Sequence, residues 1–446
     1  MRPAAGGSSV TSQRHPPQKM THRLYAFRMA QNREFMTAPP WGQRLIGIDG
    51  LRGLAAVMVV ITHTNQRLAP DAGPHWLGSL VNFGGQGLTL FFALSGFLLY
   101  RPFASAIVTG SPSPSLRNYF WNRALRIFPA YVVIFLFVAL VAGVAYLRPA
   151  ALGESSVSGT QPVGYMTDPF LLISNALALQ TLFPEAIKTG IPAAWSLTVE
   201  LAFYAVMPLL AVIVLKLRTR SRRTSIWHAS IPIIAMIVIG LTGKIWYRLI
   251  ARPSTSDEAY WLEWGGNWTA VLARSFLYHA DLFAWGMLAS LLFCLYRSSA
   301  IAAGRLQLLR WGALILGCLS AVAGWALSYS NSGFAVLSAA VILFVAIPAG
   351  RHGTGRLATI FESPPFKQMG EISYSAYLWH VPVILLMQRL GLVLPDTVAG
   401  WIGNTMIVLI VTGALSTLTY MLVERPPMAL KKRLDSARIE AMKAQA

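Results

Sequence analysis

Acidic residues are scarce in this sequence. Among 446 residues, Asp and Glu number 17 against 37 Lys and Arg, and charged residues of both signs make up only 12 %. A soluble surface needs about twice that share of charge to stay hydrated, so a soluble globular protein is excluded. Cysteine is nearly absent too. Cys294 and Cys318 both lie inside apolar segments, which excludes a disulfide scaffold and leaves no cysteine spacing suited to a metal site. No connection between apolar runs is long enough for a separate soluble enzyme module. Any chemistry must therefore be done inside the apolar part of the chain.

What the sequence has in excess is apolar length. Apolar residues make up 55 %, and the mean hydropathy is +0.52. Runs long enough to cross a bilayer, or nearly so, lie at 46–66, 80–100, 128–147, 195–216, 226–247, 269–296, 311–328, 333–350, 372–391 and 399–423. The fold class expected is an all-α polytopic membrane bundle of about ten transmembrane helices. A further apolar stretch, residues 168–183, is short and bounded by prolines. It suits a re-entrant or interfacial helix better than a crossing.

The net charge of +20 needs no polyanionic partner, because Lys and Arg gather in the cytoplasmic loops of membrane proteins. With ten crossings, 28 of the 37 basic residues fall on one side, and both termini are expected there, in the cytoplasm. An eleventh crossing at 168–183 would throw the basic run KLRTRSRR at 216–223 to the outside. No nucleic-acid partner is expected; membrane lipids are. Residues 1–43 read as a disordered basic tail, 44–427 as the membrane domain and 428–446 as a second basic tail.

Ionisable groups inside spans are costly and mark a pair, a pathway or an active site. Arg52 and His63 are eleven residues apart, which returns them to within about 20° of one helix face, about 16 Å apart along the axis. They look into one groove. Arg123 and Arg126 are one turn apart, a spacing that suits a phosphate or pyrophosphate, or an interfacial anchor with Trp121 and Tyr119. Glu200 lies about 7 to 8 Å into the fourth span, a depth that roughly matches His63. A carboxylate there can orient an imidazole and raise its basicity; it can equally cap a tyrosine or pair with Arg274.

Ser373, Tyr377 and His380 form one stripe of the ninth span, either a packing seam or a rival base. Asp281, beside His279, reads as a proton relay or as a counter-ion for Arg274.

IDGLRGLAAVMVVITH, FFALSGFLLY, RALRIFPAYV, AWSLTVELAFY, ISYSAYLWHVPV and VERP occur in that order. In order and spacing they resemble the acyltransferase 3 family of bacterial membrane acyltransferases, over residues 44–427. The resemblance implies a ten- or eleven-helix enzyme of the inner (plasma) membrane that moves an acyl group, often acetyl from acetyl-CoA, to a hydroxyl. Cell-envelope glycans, glycolipids and macrolide-type polyketides are the acceptors it implies. Acyl-CoA would be a donor substrate; no tightly bound cofactor and no metal are expected. It also implies functional roles for Arg52 with His63, for Arg123 with Arg126 and for Glu200. One departure is LAFYAVMP after WSLTVE, where EQFY is more usual, so a second acidic group is missing.

Combining geometry and resemblance, His63 is expected as general base with Glu200 in support, and Arg52, Arg123 and Arg126 as donor-binding groups. Asp281, Ser373, Tyr377 and His380 are secondary candidates. A transporter or flippase for an acylated or glycan-linked lipid is the alternative, and a relay through a covalent acyl-enzyme also fits the residues.

Overall fold

A bilayer interior offers the backbone no hydrogen-bond partner, so apolar runs satisfy themselves as helices. The computed structural model describes residues 45–154, 162–218, 226–298, 305–327, 330–347 and 355–444. The tail expected at 1–43 lies outside them, as does most of the basic run at 216–223.

In chain order the helices are α1 (Ile48–Leu68), α2 (His75–Phe83), α3 (Gly87–Thr109), α4 (Leu116–Leu136), α5 (Pro169–Ala176), α6 (Trp195–Arg218), α7 (Ile226–Ile250), α8 (Ser256–Trp264), α9 (Trp268–Ala273) and α10 (Phe276–Arg297). They continue with α11 (Leu306–Ala326), α12 (Ser330–Ala346), α13 (Arg356–Phe361), α14 (Pro364–Glu371), α15 (Ser373–Arg389), α16 (Val398–Thr419) and α17 (Arg425–Ala444). The only sheet among the described residues is a two-residue antiparallel pair, β1 (Ala145–Tyr146) with β2 (Val163–Gly164).

All ten expected spans fall on helices. Among the described residues, seven helical segments are long and apolar enough to cross a membrane: His75–Thr109, Leu116–Ala142, Pro192–Leu217, Ile226–Ile250, Trp268–Arg297, Gln307–Ala326 and Val398–Ala437. α1, α12 and α15 fall short of that measure. α12 and α15 have 17 residues each, and α1 carries Asp49, Arg52, His63 and Asn65 within its apolar run. The stretch at 168–183 is no crossing. Asp168 caps α5 by accepting from the Leu171 amide at 3.0 Å, and Pro169 occupies its first turn. Its eight residues rise only about 12 Å, against a hydrocarbon core of about 30 Å. The second basic segment, expected as a tail, is helical as α17.

Small residues let the central helices touch. A Cβ at Gly96 of α3 would lie 2.1 Å from the Phe283 carbonyl oxygen, and one at Gly286 of α10 would lie 1.8 Å from that of Ala93. These two glycines seat α3 against α10 backbone to backbone. α1 meets α13 and α14 in the same way: a Cβ at Gly50 would lie 2.1 Å from the oxygen of Phe361 in α13, and one at Gly370 of α14 would lie 2.0 Å from the Asp49 oxygen. That crossing holds the Arg52 turn of α1 close to the start of α15. The largest fully buried side chains, Tyr100, Tyr131, Phe97, Phe103, Phe135, Phe203 and Phe283, fill the bundle around α3, α4, α6 and α10.

Candidate active site

α1 carries Arg52 near one end and His63 three turns on, and each lines a different cavity. The inner one, about 50 Å³, is bounded by Arg52, Ser95, Ser196, Glu200, Ser373 and Tyr377, with aromatic side chains between them. The larger, about 430 Å³, opens at the opposite end of α1. His63, Asn65 and Arg67 of α1 line it, together with Lys188 and Trp264. Between the two cavities stands Tyr377, whose hydroxyl is 2.9 Å from Ser196 Oγ and 2.9 Å from the Ala193 carbonyl oxygen. The expectation that Arg52 and His63 share a groove therefore becomes two chambers in series along one helix face.

His63 does not meet a carboxylate. Its Nδ1 lies 2.9 Å from Nε2 of His380, with the two rings stacked at 5.0 Å between centroids. His380 is fully buried and is the partner of His63, where the sequence suggested a rival. The other ring nitrogen of His63, Nε2, is left for a ligand in the larger cavity. Glu200 instead accepts hydrogen bonds from Ser95 Oγ at 2.8 Å and Tyr204 OH at 2.5 Å. The side-chain partner of His63 is thus His380 of α15 in place of the expected Glu200, because α15 packs directly on α1 and brings its stripe to that depth.

Glu200 acts on cations. Its carboxylate gives favourable Coulomb interaction to both Arg52 and Arg126, and Arg123 in turn bears on Arg126. None of these three half-buried guanidiniums makes an ion pair among the described residues, and cations withdrawn from water in that state are costly. Arg123 Nε and Tyr119 OH are both buried without a hydrogen-bond partner. Glu424, from the VERP stretch, bonds to Ser375 Oγ and adds a second carboxylate near Arg52 and Arg126. The result is a cluster of three guanidiniums and two carboxylates, of which Arg52 and Glu200 line the inner cavity, and its excess of cationic donors is of the kind that suits phosphate oxygens.

Ser373 lines this inner chamber and donates its hydroxyl to the Gly370 carbonyl at 2.8 Å.

Asp281 is elsewhere. It forms a buried ion pair with Lys244 of α7 and accepts from Ser332 Oγ of α12 at 2.6 Å. The cation it pairs with is therefore Lys244 and not the Arg274 that the sequence suggested. Arg274 sits in the break between α9 and α10, paired with Glu263 at 2.7 Å and lying 3.6 Å over the Trp264 ring. Lys244 had a sequence signal that went unused: a lone lysine in an apolar run must find an acid.

Residues 45–421 match the family description of an acyltransferase domain, the acyltransferase 3 family that the six motifs resemble. The chain belongs to this family. Acyltransferase 3 membership sets it among acyltransferases rather than the transporters that buried charge alone left open. Similar proteins include the peptidoglycan O-acetyltransferase OatA of Listeria monocytogenes, 23 % identical over 76 % of this chain and 49 % of that protein. Nodulation protein 10 of Rhizobium leguminosarum bv. viciae is 27 % identical over 88 % of this chain and 95 % of its own length. The O-acetyltransferase OatA of Staphylococcus aureus is 23 % identical over 86 % and 57 % respectively. The chain thus spans about half the length of the two OatA relatives. No solved structure matches it significantly.

Proposed function

We propose that this acyltransferase 3 chain crosses the plasma membrane about ten times and transfers an acetyl group from acetyl-CoA, on the cytosolic side, to a hydroxyl of a cell-envelope glycan on the other. The observation that carries this reading is the His63–His380 pair at the larger cavity, among polar and aromatic groups, with unpaired arginines clustered near the inner cavity at the other end of α1. The names of the OatA relatives support acetyl as the group and a peptidoglycan-type glycan as the acceptor class.

The mechanism follows from the free nitrogen of His63. With the Nδ1 proton donated to His380 Nε2, the lone pair at Nε2 of His63 takes the acceptor hydroxyl's proton as that oxygen attacks the thioester carbon. The C–S bond then breaks, and the departing CoA thiolate takes the proton back from the imidazolium. His380 holds the ring in one tautomer and shares the transient positive charge. Arg123, Arg126 and Arg52 hold the phosphates of the donor, while Glu200 and Glu424 keep those guanidiniums from repelling each other apart.

Purified protein incubated with radiolabelled acetyl-CoA and a cell-envelope glycan extract should label the glycan. The Arg123→Ala/Arg126→Ala variant should raise the KM for acetyl-CoA at least tenfold, with lysine at both positions restoring it only in part. An unlabelled glycan with wild-type protein would sink the reading. An unchanged KM would return the arginines to interfacial anchoring.

A further inference from the structure

The larger cavity has a charge that the transfer chemistry does not use. Arg67, one turn beyond His63 on α1, donates from Nη1 to the Tyr146 hydroxyl at 2.6 Å. Lys188 bonds to the Tyr260 hydroxyl and lies 5.5, 4.5 and 5.4 Å from the ring centroids of Tyr146, Tyr260 and Trp264. Both cations line the cavity. Rings and phenol oxygens soften their charge without cancelling it. The carboxylates nearby are committed elsewhere: Glu154 to Arg148 at 2.5 Å and Glu263 to Arg274 at 2.7 Å. Asp71 is the one carboxylate on the cavity lining.

Lys188 is also held there at a cost. It is 6 % exposed, its backbone is left-handed at φ +64°, and such conformations persist where the surroundings enforce them. The loop is pinned on both sides: Asn175 Nδ2 donates to Thr189 Oγ1 at 2.8 Å, and Gly190 exchanges two 2.9 Å backbone bonds with Tyr146. Burial first, then Arg67 and Arg274, lower the lysine pKa to about 7, with Glu154 opposing them. Two basic side chains face one cavity with Asp71 as its single lining carboxylate and, among the described residues, no ion pair to either, an excess of cationic groups that suits an anionic ligand, whose charge would favour the protonated lysine.

We infer that the larger cavity takes an acceptor sugar carrying an anionic group, a carboxylate or a phosphate, gripped between Arg67 and Lys188 so that a nearby hydroxyl meets His63. Resting on the acyl-transfer reading, this names the substrate class of that same site. The volume, about 430 Å³, falls in the usual range for small-molecule sites. Trp195, Tyr260 and Trp264 add aromatic surface to the cavity lining, and the Gln66 and Asn82 amides, joined at 3.2 Å, keep free donors and acceptors for hydroxyls.

The test compares a glucuronate-terminated disaccharide, its carboxyl-reduced glucose counterpart and glucose 1-phosphate, each with purified protein. Acetyl transfer from acetyl-CoA is one readout, and tryptophan-fluorescence titration without donor is the other. Wild-type protein should favour one or both anionic sugars over the neutral one through KM, and the two anionic arms distinguish carboxylate from phosphate. Lys188→Met and Arg67→Gln should each erase that preference, a change of roughly ten- to hundredfold in affinity, and Arg67→Lys should restore part of it. Equal KM and equal binding for anionic and neutral sugars would overturn the inference while leaving acetyl transfer intact. Charge-dependent binding without transfer to any sugar would keep the anion site and count against the acyl-transfer reading.

Discussion

His63 and His380 share a single hydrogen bond of 2.9 Å, so each fixes what the other can do. As base, His63 should be indispensable: His63→Gln is expected to lower kcat/KM by about 10² or more while acetyl-CoA binding persists. His380→Gln removes the group that fixes the tautomer and should cost about tenfold or more by itself. Together the two changes should cost little more than the His63 change alone, because residues that work as a unit are not additive. Glu200 shares no hydrogen-bond partner with His63. The Glu200→Gln loss should therefore appear in the KM for acetyl-CoA and add to that of His63→Gln within about 0.5 kcal/mol. Additive losses for the two histidines, or strong coupling between His63 and Glu200, would restore the carboxylate as the supporting group. Which imidazole partner His63 has was not legible in the sequence, since helix spacing gives depth and face but not the neighbour across the gap.

Between elements, the α7–α10–α12 contact is tied by Lys244, Asp281 and Ser332, with the lysine and the aspartate side chains 4 % and 1 % exposed. Lys244 Nζ also donates to Ser332 Oγ at 2.9 Å. Removing one partner strands the other charge among apolar side chains. Lys244→Met or Asp281→Leu alone should destabilise the bundle by about 3–5 kcal/mol, whereas the double change should recover most of the loss. Thermal unfolding in detergent decides this, and a double variant no better than either single one would show that the pair does more than satisfy itself. The helices themselves were legible, because lipid forces apolar runs into helices and leaves few alternatives. The break at Arg274 was not, since the run at 269–296 reads as continuous, and Asn267 and Ser275 mark the starts of α9 and α10 only once the turn between them is seen. Lys188 was equally hidden: its aromatic surroundings come from residues 42 to 76 positions away in the sequence, Tyr146, Tyr260 and Trp264.

Across the whole molecule, the two cavities lie toward opposite ends of α1, which gives the enzyme a direction. A donor and an acceptor held at opposite ends can meet at His63 without either crossing the bilayer, and this requires the arginine end to face the cytosol, where CoA is. The basic residues argue for the same orientation independently of any cavity: with ten crossings the sequence alone assigns 28 of 37 to the cytoplasmic side, since such residues resist translocation. Both arguments meet in one measurement. With Cys294 and Cys318 replaced, a cysteine placed at Ser113, exposed between α3 and α4, should resist a membrane-impermeant maleimide in intact cells and react after permeabilisation. One placed at Ser254, exposed between α7 and α8, should react in both. Labelling of the Ser113 position in intact cells would invert the bundle, put Arg123 and Arg126 out of reach of cytosolic acetyl-CoA, and remove the donor role from the arginine pocket.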